Sequence, residues 1–206
     1  MGDGLRLMIY DRTCRGRRFL PGLTHSWLVG GYLYRFLGRI DAFAGASSWA
    51  EALEWVGDVA PSRPIREIQF WGHGKWGLAR IAREPLDRSA LSPGHPHRRR
   101  LESVRERMQP DGLWWFRTCE TFGAERGHDF AQAWCEFFGG RAAGHTFIIG
   151  PWQSGLHVLR PGDRPHWPVD EGLREGTPSE PKRAFWSRPG APNTITCLHG
   201  TIPETF

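Results

Sequence analysis

A chain of 206 residues, 39% hydrophobic and 24% charged, is long and apolar enough for one domain with a sizeable core, which excludes wholesale disorder. Net charge is +5, but of the 27 basic residues only Lys75 and Lys182 are lysines. That arginine excess reads as the mark of a GC-rich genome before it reads as nucleic-acid binding, so no nucleic-acid partner is expected.

Four cysteines (Cys14, Cys119, Cys135, Cys197) lack clustered spacing, which argues against a disulfide scaffold. No apolar run approaches 18 residues, so no membrane span and no membrane partner is expected. The segment Met1 to Leu7 carries Asp3 and Arg6 without a signal-peptide core. A cytoplasmic protein with reduced thiols is the expectation.

In chain order, Leu5–Tyr10 reads as a first strand ending at Asp11, followed by an Arg- and Gly-rich loop from Thr13 to Gly22. The apolar stretch Trp27–Ile40, with Gly30-Gly31 inside it, reads as a strand or a hairpin. Ser47 or Ser48 is a candidate N-cap, with Glu51 at capping-box distance from Ser48. The helix behind it uses Trp49, Leu53 and Val56 and stops before Pro61. Ile65–Trp71 is a short strand broken by Gly72-His73-Gly74.

After a turn-rich stretch around Ser92–Pro96, Arg98–Met108 reads as a helix whose alternating charges suggest a solvated face. Pro110-Asp111-Gly112 is a turn, and Leu113–Thr118 a buried strand. Gly127–Phe138 is the clearest helix, with Phe130, Ala131, Trp134, Phe137 and Phe138 at helical spacing and Gly139-Gly140 as its cap. Ala142–Ile149 reads as another strand. Strands alternating with helices predict an α/β fold, a three-layer sandwich with a mostly parallel sheet. Nine of the 16 prolines fall after residue 150, so residues 1–150 are expected to form the core and 151–206 an irregular, Pro-rich C-terminal extension packed on it.

Ligands of open α/β sheets bind at the carboxyl ends of the strands. Two strands end there in reactive residues: Trp71 is followed by His73-Gly74, and Thr118 by Cys119. They lie 46 residues apart, room for one crossover helix, which Arg98–Met108 supplies. A thiol beside an imidazole is what nucleophilic cysteine catalysis requires.

The local words, Ile65-Arg66-Glu67-Ile68-Gln69-Phe70-Trp71-Gly72-His73-Gly74 and Leu113-Trp114-Trp115-Phe116-Arg117-Thr118-Cys119, resemble those of caspase-like (clan CD) cysteine peptidases over roughly residues 5–150. In caspases the His also lies about 50 residues before the Cys. The caspase word Gln-Ala-Cys, followed by Gly one residue later, is here Arg117-Thr118-Cys119-Glu120-Thr121. The resemblance implies a caspase-like fold and a cysteine endopeptidase acting on a protein or peptide, without cofactor or metal. Cys119 would be the nucleophile and His73 the acid/base. The oxyanion hole would come from the backbone N–H groups of Gly74 and Cys119. Asp11 and Asp41 are left as substrate-side or structural carboxylates.

Alternation along the strand puts Arg117 on the side of Cys119. In the resembling family that position borders the pocket for the residue before the cut, so Arg117, with Glu120 nearby, is expected to bind substrate and to favour acidic side chains. The rival role is that Glu120 neutralises Arg117. Two other readings stay open: an inactive caspase-like binding or scaffold module, and an unrelated α/β hydrolase or transferase.

Other features point to weaker alternatives. Cys14 sits among Arg12, Arg15, Arg17 and Arg18, which would lower its pKa. Cys135 reads as helix packing, and Cys197-Leu198-His199-Gly200 as a covering strand. Gly72-His73-Gly74-Lys75-Trp76-Gly77 spells GxGxxG but lacks the long helix and following acid of a dinucleotide site. His95-Pro96-His97 reads as a surface turn without companion metal ligands. His145 reads as a hydrogen-bonded core histidine.

Overall fold

The computed structural model describes residues 4–17 and 20–203. Arg18 and Phe19 of the expected Arg-rich loop, and the ends 1–3 and 204–206, lie outside the described residues. The central sheet has six strands: β1 (Leu5–Asp11), β2 (Ala42–Ala46), β3 (Ile65–Trp71), β4 (Met108–Arg117), β5 (Arg141–His145) and β6 (Leu156–Leu159). Their spatial order is β6-β5-β4-β3-β1-β2. All pairs are parallel except β5 with β6. The expected mostly parallel α/β sheet is therefore present. Its sixth strand comes from the Pro-rich segment after residue 150.

Alternation along the strands separates two cores. On one face Leu7, Ile9, Ile68, Phe70, Trp114 and Phe116 meet α2 (Trp49–Asp58), α3 (Arg98–Arg107) and α4 (Ala124–Phe138). On the other, Met8, Tyr10 and Trp71 meet α1 (Leu23–Phe36) through Tyr34. Beside them Leu113, Trp115 and Ala143 pack against Leu156 and Ile195. Helices thus cover both faces of the sheet.

Helix α1 replaces the strand or hairpin expected within Trp27–Ile40. Its glycine pair marks close approach to the sheet rather than a turn. A Cβ on Gly30 would meet the Trp71 ring at 3.0 Å, and one on Gly31 the Phe43 ring at 2.7 Å. The missing side chains let the helix lie directly on β1–β3.

Helix α2 starts as its sequence dictates. Ser48 Oγ accepts from the Glu51 N–H at 3.2 Å, while the Glu51 carboxylate reaches back to the Ser47 N–H at 2.8 Å. Its other end is closed from a distance. The Arg107 guanidinium donates to the carbonyls of Val56, Gly57, Val59, Ala60 and Arg63 at 2.6–3.0 Å. This corrects the purely solvated reading of the basic run: Arg107 serves as the C-cap of a neighbouring helix. Arg107→Ala orphans those carbonyls and lowers stability by about 2–4 kcal/mol in urea unfolding. A loss below about 0.5 kcal/mol would show that water replaces the guanidinium without cost.

Two further turns differ from expectation. The stretch after His73 is an antiparallel three-stranded sheet of His73–Lys75, Leu78–Ile81 and Glu84–Asp87. GxGxxG here makes a hairpin, without the helix N-terminus that a pyrophosphate needs. His97 is buried rather than on a surface turn, its Nε2 2.6 Å from a Glu84 oxygen, while the other Glu84 oxygen accepts from the Trp49 N–H at 2.9 Å.

Candidate active site

Strands β3 and β4 run parallel with Trp71 paired to Arg117. His73 and Cys119 each lie two residues beyond that pair in sequence. The segments remain together past the strand ends. A Cβ on Gly74 would collide with Thr121 Oγ1, and would lie 2.7 Å from Thr118 Cβ and 2.8 Å from the Cys119 carbonyl oxygen. Gly74 is therefore seated against the Thr118–Thr121 turn, and only glycine fits there. The turn is tied to the hairpin by the Gly77 N–H donating to the Thr121 carbonyl at 3.0 Å. Thr118 and Thr121 share a buried hydroxyl–hydroxyl hydrogen bond of 2.5 Å.

His73 is exposed, with its imidazole edge-on to Trp27 of α1 at 5.8 Å. Cys119 is half-buried, its Sγ 4.0 Å from the Ile149 carbonyl. Burial pushes the thiol up to about 11. The neighbouring Glu120 carboxylate adds to this, and backbone hydrogen bonds at Ile149 and at Cys119 itself oppose it. At neutral pH the resting group is a thiol, with a thiolate fraction of about 10⁻⁴.

Glu120 carries two unusual features. Its backbone φ is +34°, a left-handed conformation that costs a non-glycine residue free energy, and Ala124 repeats it at +62°. Its Oε2 is buried without a hydrogen-bond partner among the described residues. Burial raises the carboxyl to about 7 against the opposing pull of the Lys75 ammonium. Sequence reading placed Glu120 at the site; the strained backbone is visible only in the fold.

The raised carboxyl has a pH signature. In the unfolded chain it titrates near 4.5, so its stabilising contribution is full below that pH and is lost as pH rises through about 7. Glu120→Gln, neutral throughout, escapes that loss. Between pH 4 and 8 the variant should gain up to about 3 kcal/mol on the native protein in paired urea titrations. Parallel stability profiles would mean that Glu120 is solvated.

Arg117 is not at the surface of a pocket. Its residue is 2% exposed, stacked 4.4 Å from Trp115 and 4.6 Å from Trp71. The guanidinium donates to Gln153 Oε1 at 2.7 Å, Tyr34 Oη at 2.7 Å and the His199 carbonyl at 2.9 Å, with weaker contacts to the Thr196 and Cys197 carbonyls. The expected substrate-side cation is instead engaged by the C-terminal segment, and its partners do not include Glu120. Arg117 lies on the Trp115 face of β4, and the carbonyls that cover it there come from about 80 residues downstream.

The remaining candidates resolve as structural. Cys14 is governed by Asp11 rather than by its arginines. It donates to Asp11 Oδ2 at 3.5 Å, and burial with that carboxylate raises it to about 11. Asp11 also accepts from the Thr13 and Ala82 N–H groups, and Asp41 from the Arg6 N–H. Cys135 is buried in α4 and raised to about 12 by desolvation. His145 is buried, its Nδ1 3.2 Å from the Ser154 carbonyl, and desolvation lowers it to about 3. Among the described residues no group of three or more His, Cys, Asp or Glu is arranged to hold a metal ion. Comparison of the sequence with protein-family models and with curated proteins finds no match.

Proposed function

We propose that the chain is a caspase-like cysteine endopeptidase acting through His73 and Cys119. The observation that carries this reading is the Trp71–Arg117 register, which sets an imidazole and a thiol two residues past the same rung of adjacent parallel strands. Gly74, pressed onto the Cys119 turn, keeps the two segments together.

In the proposed reaction His73 accepts the Cys119 proton as sulfur adds to the scissile carbonyl. The N–H groups of Gly74 and Cys119 hold the oxyanion. His73 then gives the proton to the leaving amine. Water, deprotonated by His73, hydrolyses the thioester and restores the thiol. Substrate binding has to supply what the resting site lacks, because a thiol titrating near 11 is not ionised in advance. With Arg117 internally engaged, acidic preference at the cut has no exposed guanidinium behind it.

That same raised thiol favours a second reading, a caspase-like module that binds without cleaving. A positional-scanning library of fluorogenic peptides separates the two. Turnover that vanishes in Cys119→Ala supports the peptidase. No turnover across the library, with Cys119 alkylated by iodoacetamide no faster than Cys135, supports the silent module.

A further inference from the structure

Helix α1 has two apolar faces. The inner one, with Trp27, Gly30, Gly31 and Tyr34, lies on the sheet. The outer one carries Val29, Tyr32, Leu33, Phe36 and, at the helix end, Leu37, which follow the i, i+3, i+4, i+7, i+8 spacing of a single stripe. Their exposures reach 66% for Val29, 63% for Tyr32 and 87% for Phe36. Leu198, also exposed, adjoins the end of the stripe, because the Arg39 guanidinium donates to its carbonyl. Isolated surface leucines need no explanation; a contiguous stripe along the second half of a helix does.

The sequence segment that carries the stripe is as one-sided in charge as the stripe is in hydrophobicity. Between Asp11 and Asp41 there are six arginines (Arg12, Arg15, Arg17, Arg18, Arg35 and Arg39) and no acidic residue. The rest of the chain holds 21 basic and 22 acidic residues, so this segment accounts for the entire positive balance. Arg15 and Arg35 are exposed, Arg39 is half-buried over the Tyr34 ring, and Arg12 pairs with Glu51 at 2.9 Å. Four of the six precede the helix and two lie at its C-terminal end.

We infer that the outer face of α1 docks in the plane of an anionic lipid surface. Val29, Tyr32, Leu33, Phe36 and Leu37 would enter the headgroup–acyl boundary, with the flanking arginines on acidic headgroups. Charge selects this occupant. A second copy of the chain would bring one arginine-flanked stripe against another, like charge against like, whereas an anionic bilayer matches both the apolar face and its cationic borders. No helix among the described residues is long and apolar enough to cross a membrane, so the contact is peripheral. The inference does not rest on the peptidase reading, and its test does not depend on catalysis.

The test is flotation of the protein with liposomes of phosphatidylcholine containing about 30 mol% phosphatidylserine, beside pure phosphatidylcholine. The expected result is recovery with the anionic vesicles alone, weakened by about 0.5 M salt. Phe36→Asp and Tyr32→Asp should each reduce the bound fraction about tenfold or more. The melting temperature of Phe36→Asp should stay unchanged, since that side chain is 87% exposed, whereas Tyr32→Asp also gives up an edge-on ring contact with Phe43 and is the secondary variant. Three results would overturn the inference: absence from both vesicle fractions, flotation indifferent to Phe36→Asp, or a dimer in solution that Phe36→Asp converts to monomer.

Discussion

Under the proposed mechanism Cys119→Ala and His73→Ala should each lower peptide hydrolysis by at least about 10³-fold, and the double variant should be no slower than either single one. The size follows from the division of labour. A thiol titrating near 11 depends on a neighbouring base to form its nucleophile, so removing the base and removing the sulfur abolish the same step. The fold should tolerate both changes, because His73 is exposed and Cys119 only half-buried at the end of a strand. Circular dichroism and melting curves provide that control. Progress curves with the best library substrate measure the loss, and full activity in Cys119→Ala would sink the mechanism.

The largest effect on stability is expected at Trp134. Its ring has Trp114, Phe116, Phe130 and Phe138 around it at centroid distances of 5.2–5.3 Å, and it is fully buried. Truncation to alanine removes a large apolar surface and leaves a cavity that rigid aromatic neighbours cannot fill, costing about 3–5 kcal/mol. Phe137 is the internal comparison. It is half-buried, with the guanidinium groups of Arg98 and Arg105 over its ring at 4.5 and 4.9 Å. Phe137→Ala should cost about 1–2 kcal/mol, because the arginine stems can close over the gap. Equal losses in guanidinium unfolding would mean that the two positions share one core.

Periodicity predicted the elements in which a single face is apolar. Helices α2 and α4 were legible from Ser48, Glu51, Trp134 and Gly139, and β1 and β3 from short apolar runs between breakers. Helix α1 was not, because Trp27 and Tyr34 on one side and Tyr32, Leu33 and Phe36 on the other leave no polar arc, while Gly30-Gly31 suggests a turn. The hairpin after His73 was hidden by strands of three or four residues and by Pro85. At the candidate site, strand order and residue type were enough to put His73 and Cys119 just past the ends of two adjacent parallel strands. The left-handed backbone of Glu120 and the burial of Arg117 depend on residues 147–155 and 194–199 packing over the strand ends, which no local pattern announces.

Arg117 and Tyr34 together hold the turn at residues 197–199: Tyr34 Oη lies 2.8 and 2.7 Å from the Cys197 and His199 carbonyls, with one proton to give to either, and Arg117 donates to the same two. During synthesis the strand bearing Arg117 emerges from the ribosome about 80 residues before those carbonyls do. Until then the guanidinium has Tyr34 and Gln153 as partners, and water must serve its remaining N–H groups. A chain ending before residue 195 would keep Tyr34 and Gln153 on the guanidinium but lose the Thr196, Cys197 and His199 carbonyls, so the polar cover over this part of the sheet is completed only by residues 196–199.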